Sequence, residues 1–89
     1  MSEPEASLLQ FPCEFPIKAF GFSESRLEAA VWEIVNRHAP GLTEDALTSR
    51  PSGGGKYIAV TVILCAQSQA QLDAIYHDLT ACSDVIMAL

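Results

Sequence analysis

The side chains able to do covalent or acid–base chemistry are few and scattered. Two histidines, His38 and His77, and three cysteines, Cys13, Cys65 and Cys82, are spread over 89 residues. A general base needs a nucleophile or a reacting group within hydrogen-bond reach. Neither histidine has a serine elbow or a cysteine motif beside it in sequence. His38 stands at the end of a helical stretch, where a cation complements the helix dipole. His77 lies between Tyr76 and Asp78 on what reads as a solvated helix face. No Cys-x-x-Cys pair offers zinc or redox ligands. Each thiol therefore reads as a small apolar filler in a reduced, cytosolic chain. No paired-carboxylate motif stands out. The expectation is a non-catalytic protein without metal or cofactor.

Charge narrows the partners. Five Lys and Arg stand against eleven Asp and Glu, a formal net charge of −6. Phosphate backbones and anionic membranes are bound by clustered Lys and Arg, so neither is an expected partner. No apolar run approaches the roughly 18 residues of a membrane span. The start, Met1-Ser2-Glu3-Pro4-Glu5, has no apolar stretch behind it that would make a secretory signal. With 49% hydrophobic and 18% charged residues, the composition is that of one folded core. Residues 1–10 are expected to form a flexible acidic arm and residues 11–89 a single domain.

Periodicity supplies the elements. Cys13 to Gly21 alternates, with Phe15, Ile17 and Ala19 on one face and Pro16, Lys18 and Phe20 on the other, as a strand does. Pro16 lacks a donor, so pairing is expected to start at Ile17 or to bulge at Pro16. A helix follows, with Ser23 as the expected N-cap and Ser25 to Glu28 as a capping box. Its buried stripe is Leu27, Ala30, Val31, Ile34, Val35 and His38, and Pro40-Gly41 stops it. Glu44 to Ser49 reads as a short polar edge strand, and Pro51 to Gly55 as a hairpin tip. Lys56 to Ala66 is the strongest strand. Ile58, Val60, Val62 and Leu64 point one way, and Tyr57, Ala59, Thr61, Ile63 and Cys65 the other. Ser68-Gln69-Ala70-Gln71 is a second capping box, opening a helix with Leu72, Ile75, Tyr76 and Leu79 inward. Asp84 to Leu89 is the last strand, with Val85, Met87 and Leu89 expected inward.

The order is βαββαβ. Two right-handed crossings, nested, give an α+β ferredoxin-like sandwich. Its four-stranded antiparallel sheet has the first and third strands central and both helices on one face. The other face is then bare unless the N-terminal arm folds back over it or a partner docks there. Lys18, Phe20, Tyr57, Thr61 and Ile63 on it are the expected interaction residues, for a second copy or another protein. Known activities of this fold fail at their sites. Soft-metal carriers need Cys-x-x-Cys after the first strand, and acylphosphatases need an arginine cradle there. RNA-binding members stack bases on paired aromatics, where the third strand supplies only Tyr57.

Four short motifs, Phe11-Pro12-x-x-Phe15-x-x-Lys18-x-x-Gly21, Arg37-His38-Ala39-Pro40-Gly41, Arg50-Pro51-Ser52 and Gly55-x-Tyr57, resemble the YbeD-like family in order and spacing. The resemblance spans about residue 9 to the end; Pro16 and the Gly53-Gly54-Gly55 tip depart from it. These are small bacterial cytosolic proteins of unassigned function, some carrying a lipoate-regulation label. The resemblance implies a βαββαβ fold similar to ACT regulatory domains. It also implies an alternative to protein docking, a sensor of small carboxylates such as amino acids or lipoate-related acids. Its ligand loop would be Gly21, Phe22 and Ser23, where free N–H groups of a helix N-terminus can receive an anion.

Overall fold

Alternating apolar side chains make two ten-residue strands, β1 (Cys13–Phe22) and β3 (Tyr57–Ala66), the centre of the structure. The structure is a computed structural model and describes residues 10–89. The expected arm thus lies, apart from Gln10, outside the described residues. Between and after the central strands come α1 (Leu27–His38), β2 (Leu47–Ser52), α2 (Gln69–Ala81) and β4 (Met87–Ala88). The sheet order is β2-β3-β1-β4, with every pair antiparallel. This is the expected βαββαβ arrangement with β1 and β3 central.

The core lies between the sheet and the two helices. Ile17 and Ala19 of β1 and Val60, Val62, Leu64 and Ala66 of β3 meet Leu27, Val31, Ile34 and Val35 of α1. Leu72, Ile75 and Leu79 of α2 complete it. Each fully buried side chain of this kind contributes about 1.5–3 kcal/mol of transfer free energy. No buried side chain is polar or charged among the described residues.

Four expectations are corrected. Pro16 neither delays nor bulges the ladder, since it sits in register opposite Ile63. Lys18 donates its amide to Leu89 O across the β4 edge. In an antiparallel strand, alternate residues aim their N–H to the same side. The nitrogen of Pro16 therefore faces that edge too, beyond the residues β4 pairs, and no ladder bond is lost. Second, neither Ser23 nor Ser25 caps α1, which begins after Arg26 without a side-chain cap. Ser25 instead closes a turn, its amide 2.9 Å and its Oγ 2.6 Å from Phe22 O, while Ser23 Oγ donates to Gly55 O.

Third, Glu44–Ala46 is a 3-10 turn, and the edge strand starts later and ends at Ser52. Pro51 is tolerated there because β2 has a free edge. Fourth, β4 has the opposite phase. Met87 opposes Phe20, and Leu89 and Lys18 exchange backbone bonds of 2.7 and 3.1 Å, so both apolar side chains point away from the helices. Val85 packs on the core as expected, and Ala88 does so in place of Met87 and Leu89. The second capping box forms as expected in its main bond, with Ser68 Oγ accepting from the Gln71 amide at 3.1 Å. Gln71 Oε1 reaches the Gln67 amide at 2.7 Å.

Candidate functional site

The face of the sheet turned away from the helices is built in rows, because directly opposed residues share a side. One row runs Leu89, Lys18, Thr61, Thr48, and the next runs Met87, Phe20, Ala59, Arg50. Phe22, Tyr57 and Ser52 form a third row at one end, and Pro16 with Ile63 lies toward the other. All five expected interaction residues are thus on one surface. Exposure shows how bare it is: Ile63 is 48%, Phe22 49%, Met87 51% and Leu89 60% exposed. Among the described residues these are four of the five large apolar side chains left in water. Natural monomers seldom gather such residues in one place without a use for them.

The middle of the face is a shallow depression of about 550 Å³. Thr61 and Ala59 floor it, Lys18 and Phe20 wall it from β1, and Thr48 and Arg50 wall it from β2. Arg50 is the lining residue that the sequence does not place on this face, because the expected edge strand ends at Ser49 and the observed one runs on to Ser52. At the end of the face, the Phe22 and Tyr57 rings stack with centroids 5.3 Å apart, and Lys56 Nζ lies 5.6 Å from the centre of the Tyr57 ring. The glycine tip makes room for this stack. Gly53 has φ of +59°, and a Cβ there would stand 2.8 Å from the Tyr57 ring.

In the expected ligand loop several groups have partners within the chain, while Phe22 and Ser23 also line a small hollow with Gly55 and Lys56. Gly21 is buried, Phe22 joins the aromatic stack, and the Ser23 amide donates to Lys56 O at 3.0 Å. At the start of α1, Asp84 Oδ1 stands 3.5 Å from the Arg26 amide, so a carboxylate already neighbours that helix end.

The histidines lie on the helix side. His38 Nε2 is 2.7 Å from Asp78 Oδ2, and Arg37 reaches the same oxygen at 3.2 Å, joining α1 to α2. The bond to His38 holds the Asp78 carboxyl below the ordinary aspartate range, against the opposing effect of burial and with support from His77 and Arg37. Gln71 Nε2 ties the same helix ends by donating to His38 O at 2.9 Å. On the other edge, Tyr76 donates its hydroxyl to Leu89 O at 2.6 Å, and burial pushes its phenol up. The three cysteines are free thiols, and no group of three or more His, Cys, Asp or Glu gathers in metal-binding fashion among the described residues. No described helix is long and apolar enough to cross a membrane.

A four-stranded antiparallel sheet with two helices on one side, and no described element on the other, defines a small ferredoxin-like α+β domain. More particularly, the chain belongs to the family described as "Protein of unknown function (DUF493)", whose profile matches residues 6–89. A UPF0250 protein of Chromobacterium violaceum is 40% identical over 89 residues, 100% of both chains. One of Neisseria gonorrhoeae is 43% identical over 79 residues, covering 89% of this chain and 87% of that one. The YbeD-like resemblance is therefore borne out. The solution structure of HP0495 from H. pylori matches with a TM-score of 0.69 over 100% of this chain and 97% of the other. At 12% identity, that likeness concerns the fold alone. None of these relatives carries an enzyme name.

Proposed function

We propose that this chain is a small non-catalytic interaction module, regulatory in role, that docks a protein through the bare face of its sheet. The observation that carries this reading is the gathering of Phe22, Ile63, Met87 and Leu89 on that face, each about half exposed or more. Covering them releases water from apolar surface, a gain of roughly 25 cal/mol per Å² before the costs of association. Supporting it, the closer histidine–carboxylate pair, His38 with Asp78, is engaged in joining two helices, with Arg37 on the same oxygen. The partner is a second copy or another protein.

Static light scattering over a concentration series tests the self-docking arm, and co-purification from the native host tests the other. Ile63→Asp places a charge among the exposed apolar residues of that face without touching the core. Loss of assembly or of a co-purifying partner in that variant is expected. A strict monomer that retains no partner at high concentration contradicts the reading.

A further inference from the structure

We propose that the depression between β1 and β2 is a binding site for the phosphate or carboxylate head of a small organic molecule. This goes beyond protein docking and stands whether or not a protein binds the same face.

The argument starts from charge. Lys18 and Arg50 both line the depression and both are exposed. Among the described residues neither forms an ion pair, since the pairs present involve Arg37, His38 and His77. Eight of the nine described acids lie off this face, although one of them, Glu28, accepts from the hydroxyl of Ser49 at the β2 rim of the hollow. The ninth, Glu14, is four residues along β1 from Lys18, about 13 Å at strand rise. So a chain with a net charge of −6 carries a locally positive hollow.

Geometry then converges the two cations. Thr48 opposes Thr61 and Thr61 opposes Lys18, while Arg50 is two residues along β2 from Thr48. Two strand spacings and two residues of rise separate the Lys18 and Arg50 backbones by about 12 Å. The two long side chains reach across that distance from opposite walls. Arg50 offers a planar fork that meets two oxygens of one anion, and Lys18 a point charge. Thr48 and Thr61 add hydroxyl donors between them.

The hollow also accommodates more than an ion. Its volume of about 550 Å³ falls within the ordinary range of small-molecule sites. The half-buried Phe20 ring and Ala59 give an apolar wall and floor beside the cations. A carbon body against Phe20, with its anionic head between Lys18 and Arg50, matches what each side offers.

The test is an amide chemical-shift titration of the full chain with inorganic phosphate and, separately, with acetate, each against sodium chloride at equal ionic strength. Saturable shifts at Lys18, Thr48, Arg50 and Thr61 are expected with at least one anion, and the stronger of the two names the head group. Arg50→Ala is expected to weaken binding roughly tenfold, and Arg50→Lys less, because charge remains while the fork is lost. Ala70→Ser, at an exposed position of α2 on the opposite side of the molecule, is expected to keep the titration unchanged. Shifts no larger than those with chloride for both anions overturn the proposal. So do shifts centred on Arg26 or Arg37, or an undiminished titration in the Lys18→Ala, Arg50→Ala double variant.

Discussion

Gly21 shows how one missing side chain sets the geometry of an edge. A Cβ there would stand 2.5 Å from Asp84 O and 3.3 Å from two Leu27 methyl carbons. The methyls can shift, but the carbonyl belongs to the backbone leading into β4. Gly21→Ala is therefore expected to cost about 1–3 kcal/mol through overpacking, read as a lower urea midpoint. The consequence reaches the open face of the sheet, because the displaced backbone also carries the Ile86 amide that bonds Phe20 O at 2.7 Å. At Asp78 the expected effect depends on pH. Its folded-state carboxyl titrates below the unfolded one because His38 bonds the charged form. That stabilisation is complete above the unfolded pKa of about 3.9 and is lost as pH falls through the lower folded value. The stability difference between wild type and Asp78→Asn is expected to be present at pH 7 and to shrink below about pH 4, as measured by urea unfolding at each pH.

The elements differ in how they are held, and the same differences decided what the sequence reveals. At the start of α2, Ser68 accepts the Gln71 amide, so Ser68→Ala is expected to cost about 1 kcal/mol. Ser25 bonds Phe22 O and leaves α1 uncapped, so Ser25→Ala is expected to cost clearly less in the same thermal-unfolding assay. Sequence alone places both serines in capping boxes, since each is followed three residues later by Glu or Gln, Ser25 by Glu28 and Ser68 by Gln71. What separates them is the turn closed by Phe22 and Ser25, a contact that spacing does not encode. The central strands were legible because a buried face enforces alternation, as Ile58, Val60, Val62 and Leu64 show. β2 was not, because an edge strand with one apolar residue, Leu47, has no phase to read. The phase of β4 was misread for a related reason. Met87 and Leu89 are apolar yet sit on the open side, and only pairing with Phe20 and Lys18 fixes that.

At the scale of the molecule, charge and apolar surface are sorted onto opposite sides. The helices, turns and loops carry nearly all the described acids, and the bare sheet carries Lys18, Arg50 and the exposed Phe22, Ile63, Met87 and Leu89. The bare face itself followed from the order of elements; its positive centre did not, since Arg50 enters it only once β2 is in register. Such sorting suits a surface that excludes water around a charged middle. The direct test of docking through that face is affinity capture in the native host, with tagged and untagged chain expressed together. Ile63→Asp adds a charge to the open face, and Ala70→Asp adds the same charge to an exposed position in the first turn of α2. Wild type and Ala70→Asp are expected to retain the same stoichiometric partner, a second copy or another protein, and Ile63→Asp to lose it. Equal retention by all three, or no partner with any of them, would contradict docking through the sheet.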